Sequence, residues 1–356
     1  MNTKISRRET LRLMAVTTTA ALAACQNAVP TEIVPPAAAP SQTPAAAPAV
    51  PATAEPEALP ETKSPGSSGL PIVYMTKTIS ADGLMAIYQS LGRKASGRVA
   101  FKISSGEPGG HYFLAPELIA PLVNEVSGTI VECNTAYGGG RATTAGHQRA
   151  LEQHGFTAIA PVDIMDADGE INLPISGGKH LKEDVVGSHF ADYDFVVNAA
   201  HFKGHTMAGF GGVIKNMSIG IASSMGKSLI HSAGKETTGY GASTPKDDFL
   251  ESMAEAAKGV ADYLGEKVVY INVMNNLSVD CDCDSAPAKP TMQDIGILAS
   301  LDPVALDQAC VDLVYAAPDG KDLIARMESR HGIHVLEHAE AIGLGSRKYE
   351  LASIDE

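Results

Sequence analysis

Short apolar runs and amphipathic stretches alternate along the chain from residue 69 to its end. Six runs have the length and the β-branched or aromatic content of buried strands, and they lie at residues 72–74, 98–103, 129–133, 195–200, 267–273 and 295–299. Apolar positions recur with helical spacing at residues 82–91, 115–125, 143–153, 249–264, 303–315, 321–331 and 335–342. Because each of the first three strands is followed by a loop and a helix, the pattern predicts an α/β fold. We expect a mostly parallel sheet with helices on both faces, in Rossmann-like layers.

In open sheets of this kind, ligands bind beyond the carboxyl ends of the strands. The second predicted strand leads to His111, the third leads to Tyr137 and Arg141, and the fourth leads directly into His201. We therefore expect these side chains at the functional edge of the sheet, with Arg141 binding a cofactor or another anionic group.

The stretch at residues 198–235 carries histidines, lysines and glycines but no acidic residue, in a chain whose formal net charge is -14. Glycines let a backbone approach a ligand closely, lysines attract anionic groups, and histidines bind metals or transfer protons. The predicted catalytic residues are His201, Lys203, His205 and Lys215. The predicted cofactor-binding residues, besides Arg141, are Gly211, Gly212, Lys227 and His231. The alternative is a glycine-rich surface loop with scattered lysines.

The first residues have the form of an export signal. The arginine pair Arg7-Arg8 precedes a short apolar run that ends in Leu-Ala-Ala-Cys at Cys25, a combination typical of a twin-arginine lipoprotein signal. We predict a signal peptide at residues 1–24, lipidation of Cys25, a disordered Pro/Ala-rich linker at residues 25–68 and one α/β domain at residues 69–356. The apolar run is too short to span a membrane, so the protein is expected to face the periplasm or the cell exterior on a lipid anchor. The twin-arginine route carries folded proteins, which favours a metal or redox cofactor.

Composition excludes one large class of partners. An acidic chain without tryptophan offers neither the basic face nor the stacking surfaces that nucleic acids require. The predicted partners are a small anionic ligand and, through the lipid anchor, the membrane.

Cys281 and Cys283 alternate with three aspartates at residues 280–284. They are too close in sequence for an easy mutual disulfide, which leaves two alternatives: thiolates that bind a soft or borderline metal, or a reduced pair without a ligand at the end of an edge strand. Cys133 and Cys310 are expected to be buried as small apolar residues. The predicted metal ligands are Cys281 and Cys283 together with His201 and His205.

Several other motifs fail on inspection. The Gly226-Lys227-Ser228 segment lacks the earlier glycine of a phosphate-binding P-loop. His331, His334 and His338 share a helical face, but their polar surroundings predict solvated side chains rather than a ligand set.

Four segments resemble the DUF362 family, whose members are often labelled iron–sulfur centre proteins. The segments are His-Phe-Lys-Gly-His at 201–205, Gly-Phe-Gly-Gly-Val-Ile-Lys-Asn at 209–216, Cys-Asp-Cys at 281–283 and Asp-Pro-Val-Ala-Leu-Asp at 302–307. The resemblance implies an α/β fold with a metal or redox centre. Many relatives carry a ferredoxin-type insert after the position of His231. Residues 232–248 contain no cysteine, so the electron-transfer module of those relatives is absent.

The order histidine, Gly-Gly-x-x-Lys, histidine is also similar to the nickel-dependent lactate racemase family, in which histidines and a lysine serve a metal–pincer cofactor. We therefore predict an exported, lipid-anchored protein with a metal-dependent or redox site that binds a small anionic ligand. The metal is left open among iron, an iron–sulfur cluster, nickel and zinc. The alternatives are a metal-dependent racemase or isomerase of a small carboxylate, and a solute-binding lipoprotein without catalysis.

Overall fold

The computed structural model describes residues 69–355, so the predicted signal peptide, Cys25 and the linker lie outside the described residues. Twelve strands occur in the described part. They are β1 (Ile72–Thr76), β2 (Val99–Lys102), β3 (Gly128–Glu132), β4 (Val162–Ile164), β5 (Glu170–Pro174), β6 (Glu183–Gly187), β7 (Phe195–His201), β8 (Lys203–His205), β9 (Gly209–Gly211), β10 (Val268–Met274), β11 (Gly296–Ser300) and β12 (Glu350–Ser353).

Eight of these strands form one sheet in the order β12-β1-β11-β10-β7-β2-β3-β4. Strand β11 is antiparallel to both of its neighbours, and every other pairing in the sheet is parallel. Two small antiparallel pairs, β5-β6 and β8-β9, lie outside this sheet. The predicted mostly parallel sheet is confirmed.

The same part of the chain contains nine α-helices. They are α1 (Ala81–Ser90), α2 (Pro116–Glu125), α3 (Thr144–Gln153), α4 (Val213–Met217), α5 (Ser224–His231), α6 (Lys246–Leu264), α7 (Pro303–Ala316), α8 (Lys321–Ser329) and α9 (His334–Ala341). None of them is long and apolar enough to cross a bilayer.

Alternation along the central strand β7 shows why the sheet is covered on both faces. Val197 and Ala199 belong to one apolar cluster, which contains residues of α1 and α2. Val196 and Ala200 point the other way into a larger cluster built from α4, α6 and α7. A strand buried on both faces reads as a continuous apolar run rather than an alternating one, which is the pattern at residues 195–200.

The structure rules out one alternative and corrects one prediction. The stretch at residues 198–235 is not the glycine-rich surface loop given as the alternative, because β8, β9, α4 and α5 form within it. Of the three histidines predicted to be solvated, His334 and His338 are half-buried against α6, and only His331 has a largely exposed side chain. The spacing of apolar residues gave no sign that Glu251 and Glu255 of α6 pair with histidines of α9.

Candidate active site

A cavity of about 270 Å³ lies at the carboxyl edge of the sheet, where β2 and β3 end and the chain leaves β7. Its charged and imidazole-bearing lining residues are Lys102, Glu132, Arg141, His205, Lys215, Lys227 and His231. The cavity also has Cys283 in its lining, so the structure brings together six of the predicted site residues there: Arg141, His205, Lys215, Lys227, His231 and Cys283. The cavity opens where the fold class predicts a ligand. His111 is exposed and does not line this cavity.

Helices α4 and α5 carry three of these groups. Lys215 lies on α4, while Lys227 and His231 lie one turn apart on α5. The side chain of Ser223 accepts the Gly226 N–H and begins α5. A Cβ on Gly226 would meet the Val185 carbonyl oxygen of β6, so this glycine serves helix–strand packing and not phosphate binding.

Lys102 and Glu132 are the last residues of β2 and β3, and both are buried. The Glu132 carboxylate lies 3.6 Å from the Lys102 Nζ and 3.6 Å from the Arg141 guanidinium. Burial alone would raise the pKa of Glu132, but Lys102, His147 and Arg141 together hold it well below its usual range. Among the lining residues of the described cavity, Glu132 is the only carboxylate.

Arg141 is held by a second carboxylate behind the cavity. Its Nε donates to Glu107 at 2.9 Å, and the other Glu107 oxygen accepts the Gly140 N–H at 2.7 Å. The Tyr137 hydroxyl also donates to Glu107, at 2.9 Å. Glu132 and Glu107 therefore balance the positive charges of Lys102 and Arg141. The charges of Lys215 and Lys227 remain in excess around the cavity.

These two lysines differ in their contacts. The Lys227 Nζ donates to the carbonyl oxygens of Cys133, at 3.4 Å, and Ala222, at 2.5 Å. Within residues 69–355 the Lys215 Nζ has no hydrogen-bond or ion-pair partner, although the side chain lines the cavity. Burial, aided by the charges of Lys102 and Arg141, lowers the pKa of Lys215 to about 8. Its ammonium at neutral pH is available to a ligand.

Burial and neighbouring positive charges also keep the two histidines of the cavity neutral. Burial, together with the Lys215 charge, lowers the pKa of His205 well below its usual range. Burial is also the main cause that lowers the pKa of His231 to about 4, against a hydrogen bond to Lys227 that acts in the other direction. Desolvation and like charges both disfavour the imidazolium.

Hydrogen bonds assign opposite tautomers to this pair. The His205 Nδ1 accepts the backbone N–H groups of Met207, at 3.2 Å, and Ala208, at 2.9 Å, so its proton is on Nε2. The His231 Nδ1 lies 2.6 Å from the Lys227 carbonyl oxygen and must donate, so its Nε2 carries a lone pair. The free Nε2 of one imidazole is therefore a hydrogen-bond donor, and that of the other is an acceptor.

His201 and Lys203, both predicted to be catalytic, form a separate buried group with Asp282. The His201 Nδ1 and the Lys203 Nζ donate to Asp282 at 3.0 and 2.6 Å. The His201 Nε2 faces the Asn275 carbonyl oxygen at 2.7 Å. Burial would raise the pKa of Asp282, but His201 and Lys203 lower it to about 2. Neither side chain lines the main cavity, so in this arrangement they fasten residues 280–284 to the end of β7.

Cys281 and Cys283 are bonded to each other, contrary to the sequence argument. Residues 281–284 form a turn closed by the Asp284 N–H and the Cys281 carbonyl at 3.0 Å, and not the strand that would separate the sulfurs. Cys283 lines the cavity beside His205, and it shares a smaller adjoining recess with His201. Cys133 and Cys310 are free and buried, as predicted.

One group around the cavity has a geometry that could hold a metal ion. Ligand atoms of His205, Cys281 and Cys283 lie within 4.8 Å of one another. The thiolate, and not the disulfide, is the metal-binding form of cysteine, so this group requires a reduced pair. His201 is outside the group, since both of its ring nitrogens face acceptors within the protein.

The two predicted cofactor glycines have structural contacts. A Cβ on Gly212 would lie 2.3 Å from the Asp307 carboxylate, which accepts the N–H groups of Val213 and Ile214 at 2.9 and 3.0 Å. Gly211 borders the smaller recess, where a Cβ would lie 3.0 Å from the Lys215 Cδ. The close approach at Gly212 is therefore to a carboxylate of the protein itself.

Lys102, Glu132 and Glu107 were missed by the sequence analysis. The first two end strands that are otherwise apolar, and a charged residue at the carboxyl end of a buried strand is the signal that could have revealed them.

The family model described as Domain of unknown function (DUF362) matches residues 99–312, a range that includes every lining residue of the cavity. No curated protein matches the chain. Among solved structures, the lactate racemase apoprotein from Thermoanaerobacterium thermosaccharolyticum has a TM-score of 0.36 and 14% identity. That alignment covers 58% of this chain and 50% of that one, so the chain spans about half the length of that protein. The family match extends over more than half of the sequence, and the protein belongs to the DUF362 family.

Proposed function

We propose that the protein is an enzyme that binds a small carboxylate in the cationic cavity and moves a proton on it. The observation that carries this proposal is the Lys215 ammonium without a partner, facing the same cavity as a donor imidazole, His205, and an acceptor imidazole, His231. The volume of about 270 Å³ suits a ligand of a few heavy atoms.

Charge supports an anionic ligand. Two cations of the cavity are compensated by Glu132 and Glu107, whereas Lys215 and Lys227 have no ion-pair partner among the described residues. Excess positive charge in a low-dielectric cavity costs free energy unless an anion enters. A carboxylate held there would have its developing negative charge stabilised during proton abstraction at the adjacent carbon.

The tautomers support proton transfer. Moving a proton on a substrate needs a base that removes it and a group that stabilises the charge left behind. His231 presents a lone pair that can take the proton and, as the imidazolium, return it, while His205 presents an N–H that can hydrogen-bond the developing negative charge. Both imidazoles are neutral at pH 7 before the transfer because their pKa values are lowered. This arrangement favours isomerisation or racemisation over simple solute binding.

Deuterium exchange tests both halves of the proposal. The purified protein is incubated in D2O with single enantiomers of lactate, malate or alanine, and loss of the 2-proton signal is followed by NMR. Binding of the same acids is measured in parallel by calorimetry. We expect exchange with at least one acid, abolished by His231→Gln while binding is retained. His189→Gln, a surface histidine paired with Asp163 and Asp168, is the matched control.

The outcomes separate the alternatives. Binding without exchange would leave a non-catalytic solute-binding protein, and an absence of binding would show that the cavity is not a carboxylate site. Exchange that survives His231→Gln would remove this residue as the base.

A second candidate is a metal-dependent or redox reaction at the same cavity, and the group formed by His205, Cys281 and Cys283 favours it. Reduction of the disulfide would supply two thiolates, and loss of the His205 Nε2 proton to water would free that nitrogen as a third ligand; such a set suits a soft or borderline metal. Metal content is measured on protein purified under reducing conditions. Iron, nickel or zinc that is lost in the Cys281→Ser/Cys283→Ser variant supports this candidate. Equal metal content in both proteins contradicts it.

We also propose that the protein is exported and held on a membrane by a lipid at Cys25. The motif at residues 7–25 supports this, and fractionation tests it. Cys25→Ala is expected to move the protein from the membrane fraction to the soluble exported fraction.

A further inference from the structure

A second group of histidines lies away from the cavity, between α6, α9 and the loop at residues 176–182. Glu251 of α6 is at its centre, with the His180 Nε2 at 2.5 Å from one carboxylate oxygen and the His334 Nε2 at 3.1 Å from the other. The side chains of Glu251, His180 and His334 are 10%, 12% and 21% exposed. Two imidazole nitrogens from separate chain segments therefore converge on one largely buried carboxylate.

Helical spacing repeats the pairing one turn further on. Glu251 and Glu255 are four residues apart on α6, and His334 and His338 are four residues apart on α9. The His338 Nε2 lies 3.2 Å from Glu255. Side chains at this spacing share one face of a helix, so two facing pairs of glutamate and histidine connect the helices.

Glu255 fixes the loop that carries His180. Its carboxylate accepts the backbone N–H groups of Lys179 and Leu181 at 2.8 Å each and that of His180 at 3.0 Å. The imidazole of His180 is thereby aimed at Glu251 by a buried carboxylate that takes no part in the convergence itself. Outer groups that orient a ligand in this way are a regular feature of metal sites.

Asp248 completes a set with ligand chemistry. Ligand atoms of His180, Asp248 and Glu251 lie within 4.8 Å of one another. We propose that His180, Asp248, Glu251 and His334 form a binding site for a divalent transition metal of the Zn²⁺ type. Imidazole nitrogens and carboxylate oxygens from four residues are a regular donor set for this ion.

Two lysines form ion pairs with the carboxylates of this set in the structure. The Lys179 Nζ lies 2.7 Å from Glu251, and the Lys235 Nζ lies 3.8 Å from Asp248. Both side chains are mainly exposed, so each ammonium can withdraw into water when a metal enters. A bound Zn²⁺ would take the place of the lysine ammonium groups and the imidazole N–H protons that contact Glu251 and Asp248. It would join α6, α9 and the loop by coordination.

The proposal is tested in the Cys281→Ser/Cys283→Ser background, which removes the thiol-containing group at the cavity. The full-length protein is treated with a chelator and dialysed, and Zn²⁺ alone is then titrated by calorimetry, with metal content measured on the dialysed product. We expect a single Zn²⁺ per chain and a higher thermal unfolding midpoint with the metal. His180→Gln and His334→Gln should each weaken binding by about tenfold or more.

His189→Gln is the matched control, because it removes a histidine that also pairs with two carboxylates but lies elsewhere. It should leave zinc affinity unchanged. His331→Gln distinguishes the neighbouring set of Asp247, His331 and His334. Unfolding midpoints of the metal-free variants verify that each is folded. An absence of zinc binding in the background protein, an unchanged zinc affinity in either His180→Gln or His334→Gln, or a loss caused by His331→Gln alone overturns the assignment.

Discussion

The cavity and the α6–α9 cluster place histidines in opposite electrostatic surroundings. His205 and His231 face lysines and an arginine, and the pKa of each is lowered. His180, His334 and His338 each face a glutamate instead. The same side chain is thus a neutral proton carrier in one region and a partner of carboxylates in the other. The charges next to the histidines, rather than the histidines themselves, determine whether each site suits an anion or a cation.

The first prediction contrasts a central carboxylate from each region and has the largest expected effect. Glu132→Gln leaves Lys102 and Arg141 buried without their shared partner, and removing one member of a buried ion pair costs about 3–5 kcal/mol. Glu251→Gln should cost about 1–3 kcal/mol, because Lys179, the lysine paired with this carboxylate, is mainly exposed to water. Urea unfolding measures both, with exposed Glu170→Gln as the control. Equal losses for Glu132→Gln and Glu251→Gln would contradict the contrast.

The second prediction concerns the lysine without a partner. Lys215→Met should weaken carboxylate binding about 10- to 100-fold, since a hydrogen bond to a charged group contributes about 1.5–3 kcal/mol. The protein should lose no stability, because no internal contact of the ammonium is removed. Calorimetry with the tightest-binding acid measures the affinity, and Lys179→Met at the other cluster is the control. Unchanged affinity in Lys215→Met would place the anion elsewhere.

Anion affinity should also depend on pH in a defined direction. The pKa of Lys215 is lowered to about 8, so its charge is present below this pH and is lost as pH rises through it. Small carboxylates keep a constant charge over this range. Affinity should therefore be level from pH 6 to about 7.5 and then fall by up to about tenfold per pH unit. Lys215→Arg should remove the decline, and a decline that persists in this variant would assign it to another group.

The smallest expected effect is an acid-dependent loss at the α6–α9 cluster. Burial would raise the pKa of Glu251, but Lys179, His180 and His334 lower it to about 2. A carboxyl with a folded-state pKa below its unfolded value stabilises the fold above the unfolded pKa, and that stabilisation is lost as pH falls toward the folded value. We expect a loss on the order of 1 kcal/mol between about pH 5 and pH 2 that is missing in Glu251→Gln. Denaturant midpoints measured across this range verify it.

The sequence predicted the position of the cavity because fold class and residue type point the same way. An apolar run that ends in histidines and lysines places them at the carboxyl edge of a parallel sheet, and the structure finds Arg141, His205, Lys215, Lys227 and His231 there. The direction of β11 was not predictable, since an apolar strand reads the same in both directions.

Residues 280–284 show a different limit. Their alternating pattern favours a strand, whereas the buried contacts of Asp282 with His201 and Lys203 bend them into a turn that joins the two sulfurs. A conformation set by partners about eighty positions away leaves no signal in the local sequence. The α6–α9 cluster was missed for the same reason, because the glutamates that bury His334 and His338 lie on another helix.

The first strand, β1, runs in the same direction as β2, β3, β7 and β10, and its amino end pairs with Glu350 of β12. The chain therefore enters the sheet at the amino ends of these parallel strands, whereas the cavity lies at their carboxyl ends.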